Sequence, residues 1–92
     1  MFKKKPQKRD EILMVLAAVG VMQDEFSYAA VPIDEITFCL RVDFKQKIKD
    51  LELLSILNEC LAGDYCVQEN NSWYLTSEGA NLADEYLASH QV

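Results

Sequence analysis

Four basic side chains stand close together near the middle of the chain. They are Arg41, Lys45, Lys47 and Lys49. Against Asp43, the one acidic residue of this stretch, residues 41–49 carry a net charge of +3. Cationic side chains neutralise DNA phosphates and release counterions, and the neighbouring Gln46 can hydrogen-bond to base edges. We interpret these five residues as a candidate contact to double-stranded DNA; the alternative is a solvated basic surface. Lys45 and Lys49, four residues apart, are expected on one helical face.

The rest of the charge is divided unevenly along the chain. Residues 1–49 contain all nine Lys and Arg and seven of the fifteen Asp and Glu, whereas residues 50–92 contain eight acidic residues and no basic one. Five of the cations lie within the first nine residues, so we expect a basic flexible tail over residues 1–8, followed by one domain over 9–92. The net charge of −6 opposes non-specific binding to nucleic acid. Any phosphate contact must come from the first half.

Catalytic and metal-binding patterns are missing from the sequence. It has no Ser/His/Asp or Cys/His set and no glycine-rich phosphate loop, and its single His is the third residue from the end. Cys39, Cys60 and Cys66 have no metal-ligand spacing, and we interpret them as buried, reduced thiols of a cytoplasmic protein. We therefore predict a non-enzymatic protein without a cofactor. The apolar run over residues 12–22 is too short to cross a membrane.

Hydrophobic periodicity predicts the elements that must position the basic residues. Helices are expected over residues 10–21, over 32–41, from a start between 44 and 50 to residue 62, and over 77–89. A short extended stretch is expected within residues 23–30. The first helix is apolar on more than one face, which indicates a central helix or a dimer element. We predict a homodimer through this helix and Tyr86 and Leu87 of the last one.

Residues 63–76 have the signals of a hairpin. Alternation over residues 65–69, the turn formers Asn70 and Asn71, and a return over 73–75 predict two strands. Gly63 is expected to end the third helix in a left-handed conformation, and Thr76 to cap the fourth. The inward stripe of the third helix is predicted to consist of Ile48, Leu51, Leu54, Leu57 and Leu61.

The amino-acid sequence of the second half resembles that of a known superfamily. The pattern is Leu57-x3-Leu61-x-Gly63-x-Tyr65-x-Val67, then Trp73-Tyr74-Leu75-Thr76-x2-Gly79-x2-Leu82. It is similar to the third helix, wing and exit helix of winged helix-turn-helix transcription regulators of the phenolic-acid and multiple-antibiotic-resistance type. The resemblance implies a mainly α, α+β fold with a three-helix core, a two-stranded wing and a C-terminal helix.

The resemblance also implies a DNA-binding transcriptional regulator. In such proteins the third helix enters the major groove and the wing contacts phosphate or the minor groove, which adds Asn70 and Asn71 to the candidate DNA contacts. The chain departs from that pattern because its wing tip has Glu69 and no cation, and because Asp50 and Glu52 open the third helix. The alternative is an acidic winged-helix module that binds a protein partner and no DNA.

Overall fold

The structure, a computed structural model, describes residues 8–25 and 29–89. It is mainly helical with a small antiparallel sheet, which confirms the predicted α+β class. In chain order the elements are α1 (Lys8–Glu25), β1 (Val31–Pro32), α2 (Ile33–Val42), α3 (Asp50–Ala62), β2 (Cys66–Glu69), β3 (Ser72–Leu75) and α4 (Ser77–Ser89). None of these helices is long and apolar enough to cross a membrane.

The sheet contains the predicted hairpin and one further strand. β3 lies in the centre, between β1 and β2, and both pairings are antiparallel. Val31 of β1 pairs with Trp73, and Cys66 of β2 pairs with Leu75. The extended stretch was expected earlier, within residues 23–30. Residues 23–25 are instead helical, 26–28 lie outside the described residues, and the strand begins at Val31.

The core surrounds α1. The six consecutive residues from Met14 to Val19 are all buried, and α1 contacts the three other helices, β1 and β3. The interpretation of the first helix as central is therefore confirmed, and the cover comes from the chain's own elements. An open apolar face on α1, the argument for a dimer, is absent from the described part of this helix. The homodimer stays a prediction that needs other support.

Two helix starts differ from those expected. α1 begins at Lys8, so the predicted boundary between the tail and the domain, after residue 8, falls within this helix. Residues 1–7 of the tail lie outside the described residues. α2 begins at Ile33, after Pro32, which occupies the N-cap position with φ −67° and ψ 155°. Proline presets this φ. Because it has no N–H, β1 cannot donate a backbone hydrogen bond to β3 at this position.

The predicted inward face of α3 is wrong by part of a turn. Its buried residues are Leu53, Ile56, Leu57 and Cys60. Of the predicted stripe, Leu57 is buried, Ile48, Leu54 and Leu61 are half-buried against the core, and Leu51 is 83% exposed. Apolar residues occupy two neighbouring stripes of this helix, and packing against α1 and β2 selects one of them.

The turns around the hairpin are held by residues other than glycine. Gly63 has φ −88°, so its predicted left-handed conformation is wrong. Asp64 takes the left-handed position instead, with φ 62°, and Asn70 does so at the hairpin tip, with φ 57°. The Thr76 cap is confirmed, because its Oγ1 accepts a hydrogen bond from the Gly79 N–H at 3.2 Å. The same hydroxyl donates to the Asp64 carbonyl at 2.6 Å, which joins the hairpin to α4.

Candidate nucleic-acid interface

The first predicted site residue, Arg41, lies on the exposed side of α2. It stands in the last helical turn, where a cation suits the negative end of the helix dipole. Its guanidinium Cζ lies 5.8 Å from the centre of the Phe38 ring, within the range of a cation–π contact. Phe38 is itself 50% exposed. Arg41 therefore covers an apolar side chain as well as offering a charge.

The connection between α2 and α3, residues 43–49, is irregular but tied down at both sides. The N–H groups of Asp43 and Phe44 donate to the Cys39 carbonyl, at 2.8 and 3.4 Å. The Phe44 ring packs against Tyr86 of α4, with centroids 6.3 Å apart, and Ile48 packs against the core. This segment, which we call the α2–α3 loop, is therefore a fixed part of the fold.

The three lysines of the α2–α3 loop do not lie on a helix. Lys45 has φ 58°, in the left-handed region, and α3 begins only at Asp50. The prediction that Lys45 and Lys49 share a helical face is therefore wrong. Exposed and half-buried residues alternate along the loop instead: Lys45, Lys47 and Lys49 are exposed, and each follows a half-buried residue, Phe44, Gln46 and Ile48. Three of the predicted cations thus reach solvent from one short segment.

Gln46 has a structural contact that its side-chain chemistry did not indicate. Its backbone N–H donates to the Leu40 carbonyl at 2.9 Å, which holds the loop against the end of α2. The side chain is half-buried. The backbone of Gln46 therefore anchors the loop, and its partly buried side chain is less accessible than the neighbouring lysines.

The start of α3 combines opposite charges. Lys49 is its N-cap residue, and its carbonyl accepts the Leu53 N–H at 2.8 Å. Asp50 and Glu52 follow in the first turn, where carboxylates suit the positive end of the helix dipole. These carboxylates repel phosphate from the place where a helix N-terminus would otherwise attract it.

The outward face of α3 bears no cation. Its exposed residues four and three apart are Leu51, Ser55, Asn58 and Ala62. The helix sequence contains no Lys or Arg, and none occurs from residue 50 to the end of the chain. The exposure of Leu51 was not predicted from the sequence. Neither was the exposed apolar pair on α2, which consists of Phe38 and the 41% exposed Val42. Their spacing of four, opposite to buried Ile36 and Leu40, is the signal that could have found this pair.

The hairpin tip holds the last two predicted site residues. Asn70 and Asn71 are both exposed, and the Gln68 Nε2–H donates to the Asn70 carbonyl at 3.2 Å, within the hairpin. Glu69 is the neighbouring charge. Trp73, in the strand that follows the tip, is 3% exposed and belongs to the core.

The predicted site therefore divides into two parts of different electrostatics. Residues 41–52 carry four positive and three negative side chains, and the hairpin tip adds Glu69. The positive charge stays local to the exposed side of the α2–α3 loop. Phosphate binding at the hairpin or along α3 has no cation to support it.

The thiols are structural. Cys39, Cys60 and Cys66 are buried and free. Burial, followed by the hydrogen bond to Asp43, raises the pKa of Cys39 to about 12, so its thiol stays protonated at neutral pH and donates to Asp43 Oδ2 at 3.4 Å. A contact with the Cys66 thiol, followed by burial, raises the pKa of Cys60. Among residues 8–25 and 29–89, no cluster of His, Cys, Asp and Glu has the arrangement of a metal site.

Comparisons with protein-family models, curated proteins and solved structures found no match to this chain.

Proposed function

We propose that this chain is a winged-helix domain that binds a protein partner through the outward side of α3. Support for the fold comes from the element order, α1-β1-α2-α3-β2-β3-α4, and from the sheet order β1-β3-β2. The helix pair α2 and α3 followed by a hairpin is the arrangement of a winged helix, and β2 and β3 are its wing. The fold alone does not identify a binding partner. The argument for function therefore rests on the exposed side chains.

Leu51 carries the proposal. It is 83% exposed at the first turn of α3, between the exposed carboxylates of Asp50 and Glu52. Full burial of a leucine side chain stabilises a complex by about 1.5–3 kcal/mol, whereas two adjacent carboxylates oppose a phosphate backbone. Phe38 and Val42 on α2, 50% and 41% exposed, are further apolar side chains that reach solvent. The chemistry favours a protein surface with an apolar pocket and basic groups at its edge.

A photo-crosslinking experiment in cells tests this function. A photoreactive phenylalanine analogue at Ser55, exposed one turn after Leu51, should give a discrete protein adduct. The Leu51→Glu variant should lose that adduct, since it replaces the apolar anchor. Lys47→Glu, an exposed change in the α2–α3 loop, is the matched control and should keep it. An adduct that survives Leu51→Glu, or crosslinks to nucleic acid alone, would overturn the proposal.

DNA binding by a transcriptional regulator is the second candidate, and one observation favours it. Lys45, Lys47 and Lys49 are all exposed on a fixed loop that leads directly into α3. With Arg41 they offer four cations, so the logarithm of the affinity for duplex DNA should fall against the logarithm of salt concentration with a slope of about −3 to −4 per protomer. The protein-binding proposal instead expects binding no tighter than the non-specific range, with Kd of about 10⁻⁴ to 10⁻⁶ M.

A double charge reversal separates the two candidates. Lys45→Glu with Lys49→Glu should abolish specific DNA binding, if it exists, while exposed substitutions shift stability by no more than about 0.5 kcal/mol. The crosslinked adduct of the Ser55 probe should remain. Fluorescence anisotropy with labelled duplexes at low salt measures the affinity for DNA, and circular dichroism checks that the variant is folded.

A further inference from the structure

Besides their place in the core, two of the buried thiols form a pair that the proposed function does not use. Cys60 lies in the last turn of α3, and Cys66 is the first residue of β2. Both are free, and their exposed fractions are 0% and 3%. Their thiols contact each other, whereas the thiol of Cys39 contacts Asp43. We call Cys60 and Cys66 the α3–β2 thiol pair.

The turn after α3 brings these two cysteines together. The Tyr65 N–H donates to the Cys60 carbonyl at 2.9 Å. The Asp64 N–H donates to the Leu61 carbonyl at 3.1 Å, and Asp64 itself is in the left-handed conformation. These two bonds are those of a Schellman motif, which reverses the chain at the end of a helix. The reversal returns the chain at Cys66 to the side of α3 only six residues after Cys60.

A second contact places the two sulfur atoms independently of the turn. Cys66 Sγ lies 3.9 Å from the carbonyl oxygen of Leu57, to which its thiol donates. In an α-helix, the side chain three residues later lies beside the same carbonyl, and the residue three after Leu57 is Cys60. Both thiols of the pair therefore lie beside one carbonyl, at the junction between α3 and β2.

We propose that Cys60 and Cys66 are a reversible redox pair, which a hydroperoxide oxidises to an intramolecular disulfide between α3 and β2. The bond joins thiols that are already in contact, so the backbone has to move little to reach disulfide geometry. It ties the end of α3 covalently to the first strand of the hairpin. This inference does not depend on the partner proposed for α3.

The two thiols have different roles in the oxidation. The contact with Cys60 lowers the pKa of Cys66, although burial opposes this shift, and the same contact raises the pKa of Cys60. Cys66 therefore loses its proton first, and its thiolate attacks one oxygen of the peroxide. The O–O bond breaks, the second oxygen leaves as hydroxide and takes up a proton to form water, and Cys66 becomes a sulfenic acid.

Cys60 completes the reaction. Its sulfur attacks the sulfenic sulfur of Cys66, so that the S–S bond forms and the S–O bond breaks. The hydroxide that leaves takes the proton of Cys60 and departs as water. The two thiols have then lost two electrons and two protons, and hydrogen peroxide has been reduced to two molecules of water. A dithiol such as dithiothreitol reverses the change by thiol–disulfide exchange.

The position of the pair favours a small oxidant. β2 is an edge strand of the sheet, and Cys66 at its start is the more exposed of the two cysteines. Local opening of such a strand needs less free energy than unfolding of the whole domain. Hydrogen peroxide fits through a small opening, whereas a bulky disulfide such as oxidised glutathione does not.

Peroxide treatment of the folded full chain tests the proposal by mass spectrometry. The treated chain is unfolded, and its remaining free thiols are alkylated with N-ethylmaleimide. Trypsin then separates Cys39 from the pair, because no Lys or Arg follows Lys49. The peptide of residues 50–92 should be unlabelled and two hydrogens lighter, and Cys39 should carry the label. A protease that cleaves before Asp64 should leave both halves joined until dithiothreitol is added.

Single replacements check the role of each cysteine. Cys39→Ser is the matched control and should form the disulfide as wild type does. Cys60→Ser should stop at the sulfenic acid of Cys66, which dimedone traps, and Cys66→Ser should form neither product. In wild type, oxidation should raise the midpoint of thermal unfolding by about 5 °C or more, because the bond restricts the unfolded chain.

Three results would overturn the proposal. In the first, all the cysteines of folded wild type still take up N-ethylmaleimide after peroxide treatment. In the second, the disulfide includes Cys39 or links two chains. In the third, oxidation lowers the midpoint of thermal unfolding, which would mean that the bond strains the junction between α3 and β2. All three are read from wild type, so none depends on whether a variant folds.

Discussion

The α2–α3 loop and the β2–β3 hairpin lie before and after α3, and both are held by an aromatic side chain. Phe44 anchors the loop against Tyr86 of α4, and Trp73 anchors the hairpin in the core. Their exposed residues differ: the loop presents three lysines, whereas the hairpin tip presents two asparagines beside Glu69. Their depth differs as well, since Phe44 is half-buried and Trp73 is 3% exposed. The hairpin thus contributes to stability, and the loop contributes the charge.

The largest effect should come from removing the hairpin anchor. Trp73→Ala should lower the free energy of unfolding by about 3–5 kcal/mol, because it opens a cavity at the centre of the sheet. Phe44→Ala should cost less, about 1–3 kcal/mol, since that ring is only half-buried. Urea unfolding followed by circular dichroism measures both. Equal losses would show that the two connections are anchored to the same depth.

Trp73→Phe is the matched control. The indole Nε1–H is buried and has no hydrogen-bond partner among the described residues. A buried, unpaired donor costs about 1–3 kcal/mol, so phenylalanine removes this penalty while keeping most of the apolar volume. The variant should therefore lose much less than Trp73→Ala. A loss as large as that of alanine would mean that the N–H has a partner in solution.

Alanine substitution at two glycines close to the hairpin should change stability by different amounts. A Cβ at Gly79 would overlap the backbone carbonyl of Tyr65, which neither a rotamer change nor a small shift can relieve. Gly79→Ala should therefore destabilise the fold by at least about 2–3 kcal/mol. At Gly63, φ is negative, and a Cβ would lie 2.7 Å from the Tyr65 ring, a side chain that has to shift slightly, and not against backbone. Gly63→Ala should change stability by no more than about 1 kcal/mol.

This pair of glycines also shows how far the sequence alone could predict the structure. The hairpin was predictable, because alternation and the Asn70-Asn71 turn are local signals. Gly63 was assigned the left-handed position because glycine usually takes it, but Asp64 does so here. The need for glycine at Gly79 comes from the approach of Tyr65, fourteen residues earlier, and such a contact has no local signature.

The residues of the candidate site could be predicted from the sequence, but their backbone conformation could not. The run of basic residues was visible in the sequence, but no glycine or proline within residues 43–49 indicated that the helix starts only at Asp50. Leu51 and Leu53 both lie on apolar stripes of α3, and the packing of the whole fold decides which one is buried. The two-residue strand β1 exists through its pairing with β3, which is remote in sequence. These features depend on tertiary contacts.

A smaller effect is expected at the link between the hairpin and α4. Thr76→Ala removes both the N-cap bond to the Gly79 N–H and the donation to the Asp64 carbonyl. The loss of an N-cap costs about 0.5–2 kcal/mol. Thr76→Ser keeps the hydroxyl and should restore most of the stability. A Thr76→Ala variant as stable as wild type would show that water replaces the cap without cost.

The smallest effect, and the opposite sign, is expected in the α2–α3 loop. Lys45 holds a left-handed backbone with φ 58°, which costs a residue with a Cβ about 1–2 kcal/mol relative to glycine. Glycine in turn loses more conformational entropy on folding, so Lys45→Gly should stabilise the fold by up to about 1 kcal/mol. Lys47→Gly removes the same charge from the same loop at a residue without positive φ, and it should destabilise by about 0.5–1 kcal/mol. Thermal unfolding of the two variants compares them directly. Equal shifts would mean that the loop does not keep this backbone in solution, and the lysines would then not be held in place for any partner.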